Sequence, residues 1–103
     1  MPYGLSETVI KKLLDVFSST TEIDEVVLFG SRAKGNFKEG SDIDLALKGI
    51  NLSINTIRKF ELDIDNLLLP YVVDLVIYSN ITEPLLTAHI DRAGICLYKK
   101  IIQ

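Results

Sequence analysis

Two carboxylates, Asp42 and Asp44, stand one residue apart, and ten residues before them lies the pair Gly30-Ser31. On an extended strand, positions i and i+2 project to the same face. Two carboxylates so placed repel each other and raise one pKa unless a cation sits between them. Magnesium takes oxygen ligands, usually one or two protein carboxylates together with substrate phosphates. Gly30 and Gly35 lie in the intervening turn, where glycine lets an anion approach the main chain. Ser31 adds a hydroxyl and a backbone N–H, and a helical turn starting near Ser31 would aim free N–H groups at an anion. Arg32, Lys34 and Lys38 against Glu39 leave this loop at plus two (3 − 1). The chemistry such a segment could do is to hold a triphosphate beside its magnesium ions.

A third carboxylate, Asp74, interrupts the apolar run Tyr71 to Tyr78. A charge amid Val72, Val73, Leu75, Val76 and Ile77 is costly if buried alone. It becomes reasonable if the 71–78 strand lies beside the 43–48 strand, so that Asp74 completes a three-carboxylate cluster. Gly-Ser and Asp-x-Asp at one fixed spacing should occur by chance in roughly one such chain per thousand, so the pattern is treated as a signal.

The elements that must position these residues are legible in outline. Residues 6–18 carry Val9, Ile10, Leu13, Leu14 and Phe17 as a helical stripe, with Ser6 as N-cap and Leu5 placed to staple against Ile10. Residues 25–29 read as a buried strand. Residues 43–48 alternate, with Ile43, Leu45 and Leu47 on one face and Asp42, Asp44 and Ala46 on the other. Helical spacing returns over 53–68, and Pro70 closes that helix. The segment 71–78 is the most strand-like in the chain. Thr82 is expected to cap a last helix ending at Gly94, and 95–98 to form a final strand. The order predicts a mixed α/β domain over residues 1–103, with about four strands and about three helices.

Composition narrows the function. At 103 residues, 48% hydrophobic and 24% charged, the sequence reads as one globular domain. A net charge of −3 argues against general nucleic-acid binding. The single cysteine, Cys96, excludes an internal disulfide and is read as a small core residue. No apolar run approaches the ~18 residues of a membrane span, and Glu7, Lys11, Lys12 and Asp15 interrupt any signal-peptide core. A cytoplasmic protein is expected.

Blander readings accompany the others. Asp42 and Asp44 could begin a solvated strand, and Asp74 could be an edge-strand charge paired with a lysine. Arg32 and Lys34 divide evenly between phosphate contact and a solvated loop. Asp63 and Asp65 form a second Asp-x-Asp, but on a helix i and i+2 lie ~200° apart, so they read as a solvated face. His89, the only histidine, reads as a packing or surface residue. The Leu67–Leu69 and Leu85–Leu86 clusters read as core, with some members available to a partner.

The pattern at Gly30, Ser31, Asp42 and Asp44, with Asp74 on a later strand, resembles the signature of the DNA polymerase beta-like nucleotidyltransferase superfamily. Within it, the chain is similar to the minimal nucleotidyltransferases, the MNT group. That resemblance implies a polymerase beta-like core and a two-metal transfer of AMP from ATP, with two Mg2+ ions. It implies Asp42, Asp44 and Asp74 as catalytic and metal-binding residues, with Gly30 and Ser31 at the nucleotide phosphates; Arg32 and Lys34 join the nucleotide-binding set. It further implies a partner, a helical HEPN toxin whose tyrosine receives AMP, with this chain as the antitoxin. Two alternatives stand beside it. One is an antitoxin acting by binding alone, and the other is a small-molecule nucleotidyltransferase of the aminoglycoside-modifying type.

Overall fold

The computed structural model describes residues 2–101. A short 3-10 turn, Pro2–Gly4, leads into helix α1 (Glu7–Ser18). Strand β1 (Glu25–Phe29), the single-turn helix α2 (Ser31–Lys34) and strand β2 (Ile43–Lys48) follow. Helix α3 (Ile54–Asp65), strand β3 (Val73–Ile77), helix α4 (Pro84–Ala93) and strand β4 (Ile95–Lys99) complete the order. The four strands form one sheet in the order β3-β2-β1-β4. β1 pairs antiparallel with β2 and with β4, while β2 and β3 are parallel. A parallel neighbour requires a crossover, and α3 supplies it. The mixed α/β architecture predicted from the sequence is the one observed.

Alternation along the strands divides the sheet into two faces. Val26, Leu28, Ile43, Leu45 and Leu47 form one, packed with Leu13, Val16 and Phe17 of α1 and Ile57, Phe60 and Ile64 of α3. The rings of Phe17 and Phe60 meet edge-on at 5.3 Å, joining the two helices. The other face carries Val27, Phe29 and Ala46, with Ile90 of α4 buried against them. Asp44 and Asp74 share the alternation of Ala46 and Val76. They therefore lie on the α4 face, clear of the α1–α3 layer.

Local sequence explains most boundaries. Ser6 caps α1, its hydroxyl accepting from the Val9 N–H at 3.2 Å. Ser53 and Thr56 form a reciprocal capping box at the start of α3. That helix ends at Asp65, short of the expected residue 68, because Leu68 turns the chain with φ 55° ahead of Pro70. The cap of α4 also differs from expectation. Pro84 occupies the first turn, so Glu83 is the N-cap and Thr82 lies outside, exposed. Cys96 is exposed rather than core, on the edge strand β4. Leu68 and Leu85 are exposed too, whereas Leu67, Leu69 and Leu86 are partly buried. Among the described residues no helix is long and apolar enough to cross a membrane.

Candidate active site

β1 ends at Phe29, whose register partner on β2 is Asp44. Asp44 in turn is the register partner of Asp74 on β3. Three adjacent strands thus bring Phe29, Asp44 and Asp74 into one row, with Gly30 leaving the sheet at its β1 end. Asp42 precedes β2 and is exposed, as is Asp74, while Asp44 is half-buried. The expected strand adjacency therefore holds, and i, i+2 spacing puts Asp42 and Asp44 on the same side.

The electrostatics fit a cluster. The Asp44 carboxyl is raised above its ordinary pKa, first by burial, then by the charges of Asp74 and Asp42; His89 pulls the other way. Among the described residues, no three acidic, histidine or cysteine side chains already converge closely enough to enclose an ion. An all-oxygen donor set in which the charges of Asp74 and Asp42 raise the pKa of Asp44 suits a hard divalent cation such as Mg2+.

Gly30 makes the turn. Its φ of 77° and ψ of −155° lie where only glycine is comfortable. A Cβ at this position would overlap Oδ2 of Asp44, so the absence of a side chain is what lets the turn and the carboxylate lie together. Ser31 opens α2, where Lys34 N–H bonds to Gly30 O at 3.1 Å and Gly35 N–H to Ser31 O at 3.0 Å. The N–H groups of Ser31, Arg32 and Ala33 have no intrahelical acceptor, as in any first turn. Gly35 then ends α2 in the left-handed conformation, φ 87°. Lys34 is exposed at the end of α2, near enough to His89 to act on its charge.

Arg32, expected among the nucleotide-binding residues, is placed differently. It is 2% exposed, the only buried charged residue among those described. Its Nε and Nη2 donate to the Ser41 carbonyl at 3.1 and 2.7 Å, and Nη1 donates to the Tyr3 carbonyl at 2.9 Å. The guanidinium lies over the rings of Phe37 at 5.3 Å and Tyr71 at 4.9 Å. Its donors are committed to protein carbonyls, so it ties the loop before Asp42 to the N-terminal turn. A solvated loop is equally inconsistent with its burial.

His89 was not legible as a site residue. Its Nε2 accepts the Gly30 N–H at 2.9 Å, across 59 residues of sequence. Burial, together with Lys34 and Arg92, lowers its pKa, with Asp44 opposing. The one available signal was spacing: Leu86, His89, Ile90 and Ala93 recur as one helical stripe, which turns His89 toward the sheet. The second Asp-x-Asp stays apart. Asp63 and Asp65 sit on α3, whose Ile64 packs on the opposite sheet face.

Comparison with known proteins agrees with this fold. A family profile described as polymerase beta, nucleotidyltransferase, matches residues 11–102. The chain is similar to one chain of a toxin–antitoxin crystal structure with AMP-PNP, at 26% identity and a TM-score of 0.70, covering 93% of this chain and 75% of that one. It is also similar to a chain in the complex of a tri-AMPylated Shewanella oneidensis HEPN toxin with MNT antitoxin. There the identity is 18% and the TM-score 0.68, over 93% of this chain and 74% of that one, a likeness of fold. A chain of the toxin–antitoxin MntA–HepT shares the fold likewise, at 18% identity and a TM-score of 0.69 over 92% and 74% of the two chains. Comparison with curated proteins returns no significant match. With a family match spanning most of its length, the chain belongs to the polymerase beta nucleotidyltransferase family.

Proposed function

We propose that this nucleotidyltransferase moves AMP from ATP to a tyrosine hydroxyl of a HEPN-type toxin, and so acts as an antitoxin. The observation that carries the reading is the packing of Gly30 against Asp44, itself paired with Asp74, which sets the Gly30 turn against paired carboxylates. The similar complexes, one with AMP-PNP and one with a tri-AMPylated toxin, support the donor and the partner class.

In this reading Ser31 and the free N–H groups of α2 hold the β- and γ-phosphates, and Lys34 adds positive charge nearby. Asp42, Asp44 and Asp74 would hold two Mg2+ ions. When bound, the ions would supply stabilisation of the charge that develops on oxygen during displacement at phosphorus. Exposed Asp74 faces the incoming hydroxyl and helps take its proton. The acceptor oxygen bonds to the α-phosphorus, the bond from that phosphorus to the bridging oxygen breaks, and pyrophosphate leaves.

In this reading the acceptor hydroxyl is supplied by the partner protein. Mass spectrometry of a HEPN protein co-expressed with this chain tests the proposal: AMP is expected on a tyrosine, and an unmodified partner contradicts it. A second reading, silencing by contact alone, draws on exposed Leu68, Val72 and Leu85. Under it, an Asp42→Asn/Asp44→Asn protein would still protect cells from the toxin.

A further inference from the structure

His89 touches the phosphate turn without belonging to it. Its Nε2 accepts from Gly30 N–H, so that nitrogen carries no hydrogen and the proton of the neutral ring sits on Nδ1. The ring is itself held. It meets the Phe29 ring in an edge-to-face arrangement, centroids 6.2 Å apart and planes at 69°. The next residue, Ile90, is 3% exposed and packs on Val27, Phe29 and Ala46. At the end of α4, a Cβ on Gly94 would run into the Ile90 carbonyl and Val27 Cγ1, which shows how closely this helix end lies on β1.

Gly30 has the opposite character. Glycine has the widest backbone freedom of any residue, and this one adopts a conformation with φ 77° that local sequence does little to select. No side chain caps α2. The hydrogen bond from His89 is therefore a restraint from a packed helix on the most adjustable residue of the turn.

We propose that His89 is a positioning residue for nucleotide binding: it fixes the Gly30 peptide so that Ser31 and the α2 N–H groups are set for phosphate before ATP arrives. This rests on the nucleotidyl-transfer reading above. Preorganisation of this kind strengthens binding by removing an ordering cost, so its loss falls on affinity more than on the chemical step.

Two substitutions separate the acceptor from the ring. His89→Phe keeps an aromatic ring against Phe29 and removes the acceptor, whereas His89→Gln can present an amide oxygen. Titrating Mg·AMP-PNP by calorimetry, we expect H89F to raise Kd about tenfold and H89Q to stay within about threefold of wild type. In transfer assays, H89F raises KM for ATP while kcat at saturating ATP changes little. Unchanged affinity in folded H89F, or equal loss in H89Q, overturns the proposal. A 15N spectrum of the wild-type protein, independent of any variant, should show Nε2 of His89 unprotonated, and a protonated Nε2 overturns the proposal as well. Wild-type protein that shows this signature yet binds no nucleotide overturns the nucleotidyl-transfer reading and the proposal with it. Normal wild-type affinity with an indifferent H89F overturns the proposal alone.

Discussion

Gly30 and Asp44 lie so close that any side chain at position 30 would occupy the place of the Asp44 carboxylate oxygen Oδ2. The Gly30 turn and the acidic strand are thus a single packed unit, joined through the register of Phe29 with Asp44.

The first prediction follows from that contact. Gly30→Ala places a Cβ both in a forbidden backbone region and against Asp44. Strain of ~1–3 kcal/mol is expected from the backbone alone. Chemical denaturation should show that loss, and nucleotidyl transfer should fall by about 100-fold or more, since displacing reacting groups by about 1 Å costs that much. A G30A protein with wild-type transfer would show that the turn tolerates a side chain.

The raised pKa of Asp44 makes a claim about stability. A folded-state pKa above the ordinary value means the carboxyl favours folding most when protonated, below its unfolded pKa near 3.8. That contribution is lost as pH rises through the folded pKa. At neutral pH, Asp44→Asn should therefore stabilise the metal-free protein, by less than about 1 kcal/mol given its partial solvent exposure. Thermal melts from pH 4 to pH 7 check the sign: the gap between variant and wild type should widen with pH. A variant less stable than wild type at pH 7 would mean that Asp44 is held by favourable contacts.

Added Mg2+ should reverse that order. Magnesium together with ATP at about 100-fold above Kd stabilises the folded wild type by ~2.7 kcal/mol, and the D44N protein far less. Melting in Mg·AMP-PNP measures this without turnover. Equal stabilisation of both proteins would remove Asp44 from the binding set.

Arg32→Lys should be destabilising. A lysine cannot reproduce three donors held in a planar fork toward Ser41 and Tyr3. Hydrogen bonds to charged groups contribute ~1.5–3 kcal/mol, and a loss in that range is expected by denaturation. Nucleotide affinity should change mainly because the loop ahead of Asp42 loosens. Unchanged stability with selectively weakened ATP binding would return Arg32 to the phosphate site.

What the sequence disclosed, and what it withheld, follows the range of the forces involved. β2 is visible because strand alternation records which face is buried, and β1 because it is a short apolar run buried on both faces. Asp44 and Asp74 could be joined because a parallel crossover through α3 makes β3 a neighbour of β2. Arg32 was misplaced because its partners, Tyr3, Phe37 and Tyr71, meet only after the N-terminal turn and the start of β3 pack together. His89 was passed over for the same reason, its acceptor role depending on a main-chain N–H 59 residues away. Thr82 lost the cap to Glu83 through competition with Pro84. Cys96 reads as core because it stands in an apolar strand, but an edge strand leaves it in solvent.

The most direct test of the account is the rate at which purified wild-type and Asp42→Asn/Asp44→Asn proteins transfer labelled AMP from ATP to the HEPN partner in magnesium. The account predicts transfer by wild type and loss of at least about 1,000-fold in the double variant, with far-UV circular dichroism unchanged. Transfer at the wild-type rate by the double variant, or none by wild type, would contradict it.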